Sequence, residues 1–443
     1  MKMVKSLLLG TAAGLVATAG AQAADLPVKA KPVQYVKICS LYGAGFYYMP
    51  GTDTCIKVGG FARAEVNFGA GGSFATSFQN WDLRTTNTQS WRTRAGITAD
   101  ARSQTAYGTL RGYAYLAATS DNSAAGAPTN GTGATAYDRL FSPAAFIQFA
   151  GFTMGRTGSF FDFDGMGYSN QSNVWGSAQG GNGIEVWAYT AQLGNGLSAS
   201  IAAENNNGRR MGVANALGAA SAAGGQSMPD IVGNLRIDQA WGSAQIMGAY
   251  HQINYGVVGE PSDQAGWAFG VGARVNLPML GKGDYIIGQF TYGKGAIDYV
   301  GSGLAQAQTT QRGGRVSYGP AWDSVVTGAG TADLTTGWSI TGGLEHNWVP
   351  GWKTSLFGAY GKLQYSAAAS VILQGAAAGT TAGSSANWSF WQVGSRTVWT
   401  PVTNLDLSVE VMYNSQQSGF TGVNIGDNSW WSGMFRAQRN FYP

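Results

Sequence analysis

Two cysteines are the first residues whose positions in the chain suggest chemistry. Cys39 and Cys55 are the only cysteines, and the segment 49–53 between them, Met-Pro-Gly-Thr-Asp, has the composition of a tight turn. Their spacing differs from the Cys-x-x-Cys of redox catalysts. We therefore expect a disulfide if the chain folds in an oxidising compartment, with two free thiols as the alternative.

The two histidines are the next candidates for catalysis or metal binding. His251 and His346 lie far apart in the sequence, and neither belongs to a cluster with the spacing of metal ligands. A catalytic histidine also needs a nucleophile within reach, and no motif supplies one. The sequence therefore predicts no metal site, no cofactor and no catalytic residue.

The composition excludes several classes of protein. Charged residues make up 11% of the chain, aromatic residues make up 12%, and 27 Lys and Arg nearly balance 23 Asp and Glu. A disordered chain would have few aromatic residues, and a nucleic-acid-binding protein would concentrate a basic excess in one region. A helical membrane protein needs apolar runs of about 20 residues, but the mean hydropathy here is only −0.08.

The N-terminus has the pattern of an export signal. Lys2 and Lys5 precede an apolar run over residues 7–19, and Ala21-Gln22-Ala23 has the small-x-small pattern of a cleavage site. We predict a signal peptide over residues 1–23, so the mature chain functions outside the cytoplasm. Residues 24–54 are predicted to form a periplasmic N-terminal segment with the cysteine pair, in which residues 24–37 are extended and the turn at 49–53 folds the chain back on itself.

From residue 55 onward the chain alternates apolar residues with small or polar ones. The clearest face lies in the segment 267–277 and consists of Trp267, Phe269, Val271, Ala273, Val275 and Leu277. A period of two places each set on one side of a β-strand. A soluble sandwich would alternate in the same way, so alternation does not by itself settle the class.

Two further features favour strands that cross a bilayer. Aromatic residues stand at the ends of the apolar faces, as at Trp91, Trp267, Trp348 and Trp431, and such girdles are typical of transmembrane barrels. Short connections such as 194–196 and 349–351 also alternate with long loops rich in Gly and Ser. A surface adhesin or lectin built from β-sandwiches would instead have polar outer faces, which the segment 267–277 contradicts.

The predicted fold is all-β, a transmembrane antiparallel β-barrel of 16 strands over residues 55–443, with short periplasmic turns and long external loops. Barrels of 16 to 18 strands enclose an aqueous channel. The predicted strands are 55–68, 91–103, 106–119, 139–150, 151–159, 184–194, 197–205, 230–241, 243–255, 267–277, 285–293, 337–349, 353–365, 387–400, 405–414 and 428–441.

Three segments resemble the general porins of alphaproteobacteria. Residues 35–60, which include both cysteines, resemble the N-terminal signature of that family, and residues 145–162 resemble the strand pair that leads into its third loop. Residues 435–441 resemble its last strand. The resemblance implies a barrel of the bacterial outer membrane, usually a homotrimer, whose third loop, here near 159–183, folds inward to narrow the channel.

Strand parity predicts which charges face the lumen. A charge that faces lipid at the midplane of the bilayer costs about 2–4 kcal/mol, so charged residues on these strands are expected to point inward. The first three strands then contribute a basic wall of Arg63, Arg92, Arg94, Arg102 and Arg111. The resemblance places the third loop opposite this wall, and Asp162 and Asp164 would give the loop an acidic face. Charges of opposite sign would create a transverse field at the narrowest point.

The resulting hypothesis is a passive diffusion channel for small hydrophilic solutes and ions across the outer membrane. Its partners would be those solutes, the surrounding lipid and two further copies of the chain, and no nucleic acid. A substrate-selective channel is the alternative, but Tyr113 and Tyr115 alone do not make an aromatic ladder. A barrel enzyme that uses His251 is the less favoured rival. The segment 206–229, with Arg209 and Arg210, is expected to be a solvated external loop.

Overall fold

A computed structural model describes most of the predicted barrel. The described residues are 38–68, 89–121, 137–163, 165–170, 174, 176, 183–215, 223–256, 261–301, 321–328, 330–375, 385–418 and 428–441. The predicted signal peptide, the segment 24–37 and Asp164 lie outside them.

Sixteen strands of the described chain form a closed antiparallel barrel, which confirms the predicted fold class. Numbered along the chain, they are β1 Cys55–Phe68, β2 Gln89–Thr105, β3 Gly108–Asp121, β4 Tyr137–Phe149, β5 Phe152–Thr157, β6 Ile184–Gly194, β7 Leu197–Glu204, β8 Asp230–Gln239, β9 Gly242–Ile253, β10 Gln264–Asn276, β11 Tyr285–Lys294, β12 Thr336–Val349, β13 Trp352–Gln364, β14 Trp388–Val402, β15 Leu405–Ser418 and β16 Asn428–Asn440.

Closure of the barrel joins the last strand to the first. Strands β16 and β1 pair from Phe61 opposite Asn440 to Phe68 opposite Gly433, and the other neighbours pair in sequence order. Every strand therefore has a partner on both edges, as a bilayer requires of backbone N–H and C=O groups. Strand β5 is shorter than the predicted 151–159, because the chain leaves the wall at Thr157 and enters the lumen.

The two faces of the wall follow the predicted parity. On β1 the side chain of Val58 is 55% exposed on the outside, whereas Glu65 is 3% exposed on the inside. Cross-strand pairing keeps this parity from strand to strand, since Glu65 lies opposite Arg92 and Arg63 lies opposite Arg94. The arginines assigned to the lumen therefore share the inward face.

Aromatic side chains form a nearly continuous band on the outward face toward one end of β10–β16. Neighbouring rings contact each other, with centroid distances of 5.5 Å for Trp267–Tyr292, 5.2 Å for Trp338–Tyr360, 5.2 Å for Trp391–Tyr413 and 5.0 Å for Tyr413–Trp431. Such a band is typical of a barrel surface at the boundary between lipid and water.

The connections differ sharply between the two ends of the barrel. At one end, tight turns join β2–β3, β4–β5, β6–β7, β8–β9, β12–β13 and β14–β15. In these turns Asn195 and Asn404 have φ angles of 50° and 67°, and asparagine tolerates this left-handed region better than most residues. At the other end the connections are long, and we call these the short-turn end and the loop end.

The long connections are expected only as loops rich in Gly and Ser, but two of them, 295–335 between β11 and β12 and 365–387 between β13 and β14, contain regular secondary structure. Within the former, Ser324–Gly328 and Thr331–Leu334 form a hairpin that also pairs with Val213–Ala214. Helix α1, Ala367–Gly375, lies in the latter, and it packs Ala369 and Leu373 into a buried cluster. No described helix is long and apolar enough to cross a membrane.

The predicted disulfide is confirmed and lies at the short-turn end. Cys39 and Cys55 are bonded and buried together with Phe46, and the short strand Tyr47–Tyr48 pairs with the beginning of β1. The guanidinium of Arg102 lies 4.9 Å from the centre of the Phe46 ring. The bond therefore ties the segment that precedes β1 to the end of the barrel.

We predict that Cys39→Ser lowers the unfolding temperature and leaves conductance nearly unchanged. Loss of a bond that closes a loop of about 15 residues removes up to about 3 kcal/mol in the chain-entropy model, and the bond lies at the end of the barrel. Heat-dependent electrophoretic mobility would measure unfolding, and planar-bilayer recordings would measure conductance. The Cys39→Ser/Cys55→Ser double variant should match the single one. An unfolding temperature equal to that of the oxidised wild type would contradict the prediction.

Candidate functional site

The connection between β5 and β6, residues 158–183, is here called the constriction loop, and its described residues 158–163 and 165–170 lie inside the barrel. Its first turn is fastened by Glu204 at the end of β7. The hydroxyl of Ser159 donates to one carboxylate oxygen of Glu204 at 2.7 Å, and the N–H of Phe160 donates to the other at 2.7 Å. The Phe160 carbonyl accepts from Asn234 on β8 at 2.6 Å. These bonds turn the chain away from the wall.

Farther along, two aromatic side chains of the loop rest on glycines of the wall. The ring of Phe163 lies against Gly272 on β10, and a Cβ atom at that glycine would be only 2.4 Å from a ring carbon. The ring of Tyr168 lies against Gly343 on β12, where a Cβ atom would be 2.6 Å from a ring carbon. A larger residue at either position would push the loop toward the lumen axis. Glycines in the wall thus make room for the loop.

The tip of the loop is held by charged groups of the last three strands. Glu410 on β15 accepts from the Ser169 hydroxyl at 2.8 Å and from the Asn170 N–H at 2.6 Å. Arg396 on β14 donates to the Gly167 carbonyl, and Arg436 on β16 donates to the carbonyl of Asn170, both at 2.8 Å. Hydrogen bonds to charged groups are stronger than neutral ones, so the tip is firmly anchored.

These contacts define the shape of the lumen. Within the described chain, the loop contacts every strand from β7 to β16. Among the described residues, the inward faces of β1–β4, here called the open wall, make none of these fastening contacts. A cavity of about 540 Å³ between loop and wall is lined by Tyr115, Gln148, Asp162 and Arg236, among others.

The five predicted arginines fall into two groups. Arg63, Arg92 and Arg94 lie at the level of the loop tip, because Arg92 is opposite Glu65 on β1 and Glu65 is opposite Arg436 on β16. The Arg63 side chain is 3.6 Å from Glu65 and donates to Gln438. This upper group is the basic part of the wall that faces the constriction.

Arg102 and Arg111 form the lower group, near the short-turn end. Both guanidinium groups bind Asp100, at 2.7 Å and 2.9 Å, and this carboxylate partly neutralises them. Arg102 follows Arg94 by eight positions on β2, a distance of about 26 Å at the usual rise of a strand. The sequence placed all five arginines on one face, but the structure separates them along the axis.

Asp162, which was predicted to give the loop an acidic face, forms an ion pair with Arg209. The two groups lie 2.8 Å apart, and Arg209 also lies 3.4 Å from Asp298 in the β11–β12 connection. Arg209 is 0% exposed, so the prediction of a solvated external loop around it was wrong. Burial would lower the pKa of Arg209, but Asp162 and Asp298 outweigh burial and raise it. The guanidinium therefore stays charged and links three connections.

A second buried network lies beside this one. His251 is 1% exposed and its Nδ1 is 2.8 Å from Asp230, which also accepts from the Tyr299 hydroxyl at 2.7 Å. Asp323 accepts from the N–H groups of Met211 and Ile297, and burial raises the pKa of its carboxyl. His251 thus joins connections at the loop end and is almost completely buried, an arrangement that does not favour a barrel enzyme that uses this residue.

The other histidine is also tied to a carboxylate. His346 on β12 contacts Asp284, which accepts from the N–H of Asn347 at 2.8 Å as well, so these groups brace the β10–β11 connection at the short-turn end. Among the described residues, no group of three or more His, Cys, Asp or Glu side chains is arranged to hold a metal ion.

Comparison with known structures shows the same architecture. The outer membrane channel DcaP of Acinetobacter baumannii superposes with a TM-score of 0.60, over 89% of this chain and 99% of that one, at 15% identity. OprB of Pseudomonas putida superposes with a TM-score of 0.50 at 11% identity, over 87% and 94% of the two chains. At these identities the likeness concerns the fold.

Comparison of sequences goes further. Porin Omp2b of Brucella suis is 34% identical over 262 residues, which cover 56% of this chain and 67% of that protein. Porin Omp2b of Brucella abortus (strain 2308) is 34% identical over 260 residues, 56% and 66% of the two chains. The match thus spans about two thirds of these relatives. Residues 25–434 match the family described as the Porin subfamily, and the chain belongs to this family of outer-membrane porins.

Proposed function

We propose that the chain is a passive diffusion channel through which small hydrophilic solutes and ions cross the outer membrane. The observation that carries the proposal is the path of the constriction loop. Its described part is fastened along one side of the barrel, and a cavity of about 540 Å³ remains between the loop and the inward faces of β3–β9. Solutes would move down their own gradients, without a nucleotide, a cofactor or a chemical step.

The charges around the passage would favour anions. The upper group contributes Arg63, Arg92 and Arg94, and Glu65 is the nearby carboxylate, already in contact with Arg63 and Arg436. Asp162 shares Arg209 with Asp298, so the charge of Asp162 is partly balanced. A narrow aqueous passage with low-dielectric walls concentrates ions of the opposite sign. The proposed field therefore comes chiefly from the wall, with a smaller part from Asp162 than the sequence suggested.

We also propose that the protein is a homotrimer that associates through the outer surface of β1–β4. This surface carries small exposed side chains between larger ones such as Ile97 and Leu116. A groove of about 550 Å³ there is lined by Ala62, Ala95, Ala118 and Leu140, among others. Small residues let two barrel walls approach closely, and closed rotational symmetry is usual for homo-oligomers. The occupant proposed for the groove is a second copy of the chain.

Liposome swelling tests diffusion directly. Liposomes that contain the protein should swell in isosmotic monosaccharide, more slowly in disaccharide and least in large oligosaccharides, since a fixed passage discriminates by size. The rate should rise in proportion to solute concentration without saturation. Protein-free liposomes are the control. Failure to swell in the smallest sugar would show that the lumen is closed.

Removal of two upper arginines should change ion selectivity. In Arg63→Ala/Arg94→Ala, the reversal potential in a KCl gradient should shift toward that of a cation-preferring pore, because two positive charges leave the constriction while Glu65 stays. Arg439→Ala removes an exposed charge at the rim and should leave the reversal potential nearly unchanged. Equal potentials in the wild type and the double variant would refute the role assigned to these arginines.

A large side chain introduced into the proposed interface should dissociate the trimer. Ala95→Trp places an indole in the small-residue groove on β2, and native electrophoresis in mild detergent should then show monomers. Ala273→Trp makes the same change on the outward face of β10 and should leave trimers intact. Trimers in both variants, or monomers in both, would be inconsistent with an interface at β1–β4.

A further inference from the structure

Aromatic side chains from three strands line the open wall between the two arginine groups. Phe61, Tyr115, Tyr113 and Phe146 follow one another from the constriction toward the short-turn end. The Phe61 and Tyr115 rings are 6.2 Å apart, and Tyr113 and Phe146 stack with centroids 5.1 Å apart and an interplanar angle of 26°. Phe141 on β4 extends this set toward the loop end, and we call the five residues the aromatic track.

The arginines lie against the faces of these rings. The guanidinium carbon of Arg63 is 4.8 Å from the centre of Phe61, and that of Arg94 is 5.1 Å from Phe141. Arg111 lies 5.2 Å from both Tyr113 and Phe146. A guanidinium stacked on a ring is held in a fixed orientation. Its N–H groups point outward in the guanidinium plane, and a carboxylate binds along that edge. The track therefore alternates cationic and aromatic groups.

The track borders water-filled space as well as the protein interior. Tyr115 lines the cavity of about 540 Å³, and Tyr113, Phe141 and Phe146 are half-buried on the inward face. Because the constriction loop is fastened to other strands, a solute at the open wall would meet these groups along about 26 Å of strand. A wall that serves only to exclude apolar solutes would carry hydroxyl and amide groups and no aromatic rings. Strands β5–β8 have such a wall, with Thr153, Thr190, Ser198 and Asn234.

We propose that the aromatic track binds small aromatic carboxylates and makes the pore preferentially permeable to them, an inference that rests on the proposed diffusion function. Arg111 is already bound to Asp100 and Gln148, so the carboxylate would bind at the guanidinium edges of the upper group, Arg63 and Arg94. The neighbouring phenyl or phenol face takes the ring of the solute. Chloride would contact only the arginines, and a neutral sugar would contact only the rings. A solute that has both a carboxylate and an aromatic ring therefore binds most tightly.

The test compares benzoate with cyclohexanecarboxylate, which has the same charge and similar size but no aromatic ring. Each is titrated into the wild-type channel in a planar bilayer in KCl, and the half-maximal reduction of chloride current is recorded. An aromatic contact contributes roughly a two- to tenfold preference, so benzoate should act at a concentration lower by that factor. The Tyr113→Leu/Tyr115→Leu variant should lose the preference while still responding to both anions.

A matched variant on the outer surface is the control. Trp187→Leu removes an aromatic side chain on β6 that is exposed on the outward face, and the benzoate preference should persist. Equal action of the two carboxylates on the wild type would overturn the proposal, as would a preference that survives in the tyrosine variant. The absence of any KCl conductance would instead refute the diffusion function, so the two failures are distinguishable.

Discussion

A strand in a bilayer must satisfy its backbone N–H and C=O groups within the protein, and this requirement governs the rest of the structure. It is met only when β16 pairs with β1, because any open edge would expose unpaired groups to lipid. Closure fixes the inward and outward parity of all the strands. It thereby places Arg63, Arg92 and Arg94 on the lumen side and the large apolar side chains on the lipid side.

Closure of this many strands also leaves a lumen too wide for wall side chains to fill, and the constriction loop occupies the excess space. Loop and wall are complementary at each point of contact. Glu204 accepts hydrogen bonds from the first turn of the loop, and Glu410 accepts them from its tip. Gly272 and Gly343 leave space for aromatic rings of the loop. Since the described part of the loop is held along one side of the barrel, the passage that we propose is off-centre, toward the groups on β1–β4.

The sequence predicted those features of the structure that depend on the local alternation of apolar and polar residues. Alternation located every barrel strand to within a few residues and gave the correct face for Glu65 and Val58. Contacts between distant segments had no such signal. Arg209 pairs with Asp162 and Asp298, 47 and 89 positions away, and nothing in its neighbourhood distinguishes it from a solvated loop residue. The aromatic track was missed because each strand shows only one or two of its members, and only the register brings them together.

The central claim is that solutes pass along β1–β4 while the opposite wall is covered by the loop. Single-channel conductance of two cysteine variants tests it directly, because both native cysteines are bonded to each other. Thr98→Cys lies on the open wall opposite Tyr115, and Thr341→Cys is buried against Tyr168 of the loop. A bulky methanethiosulfonate reagent should lower the conductance of the first in discrete steps and leave the second unchanged. Rapid block of Thr341→Cys with no effect on Thr98→Cys would contradict the account.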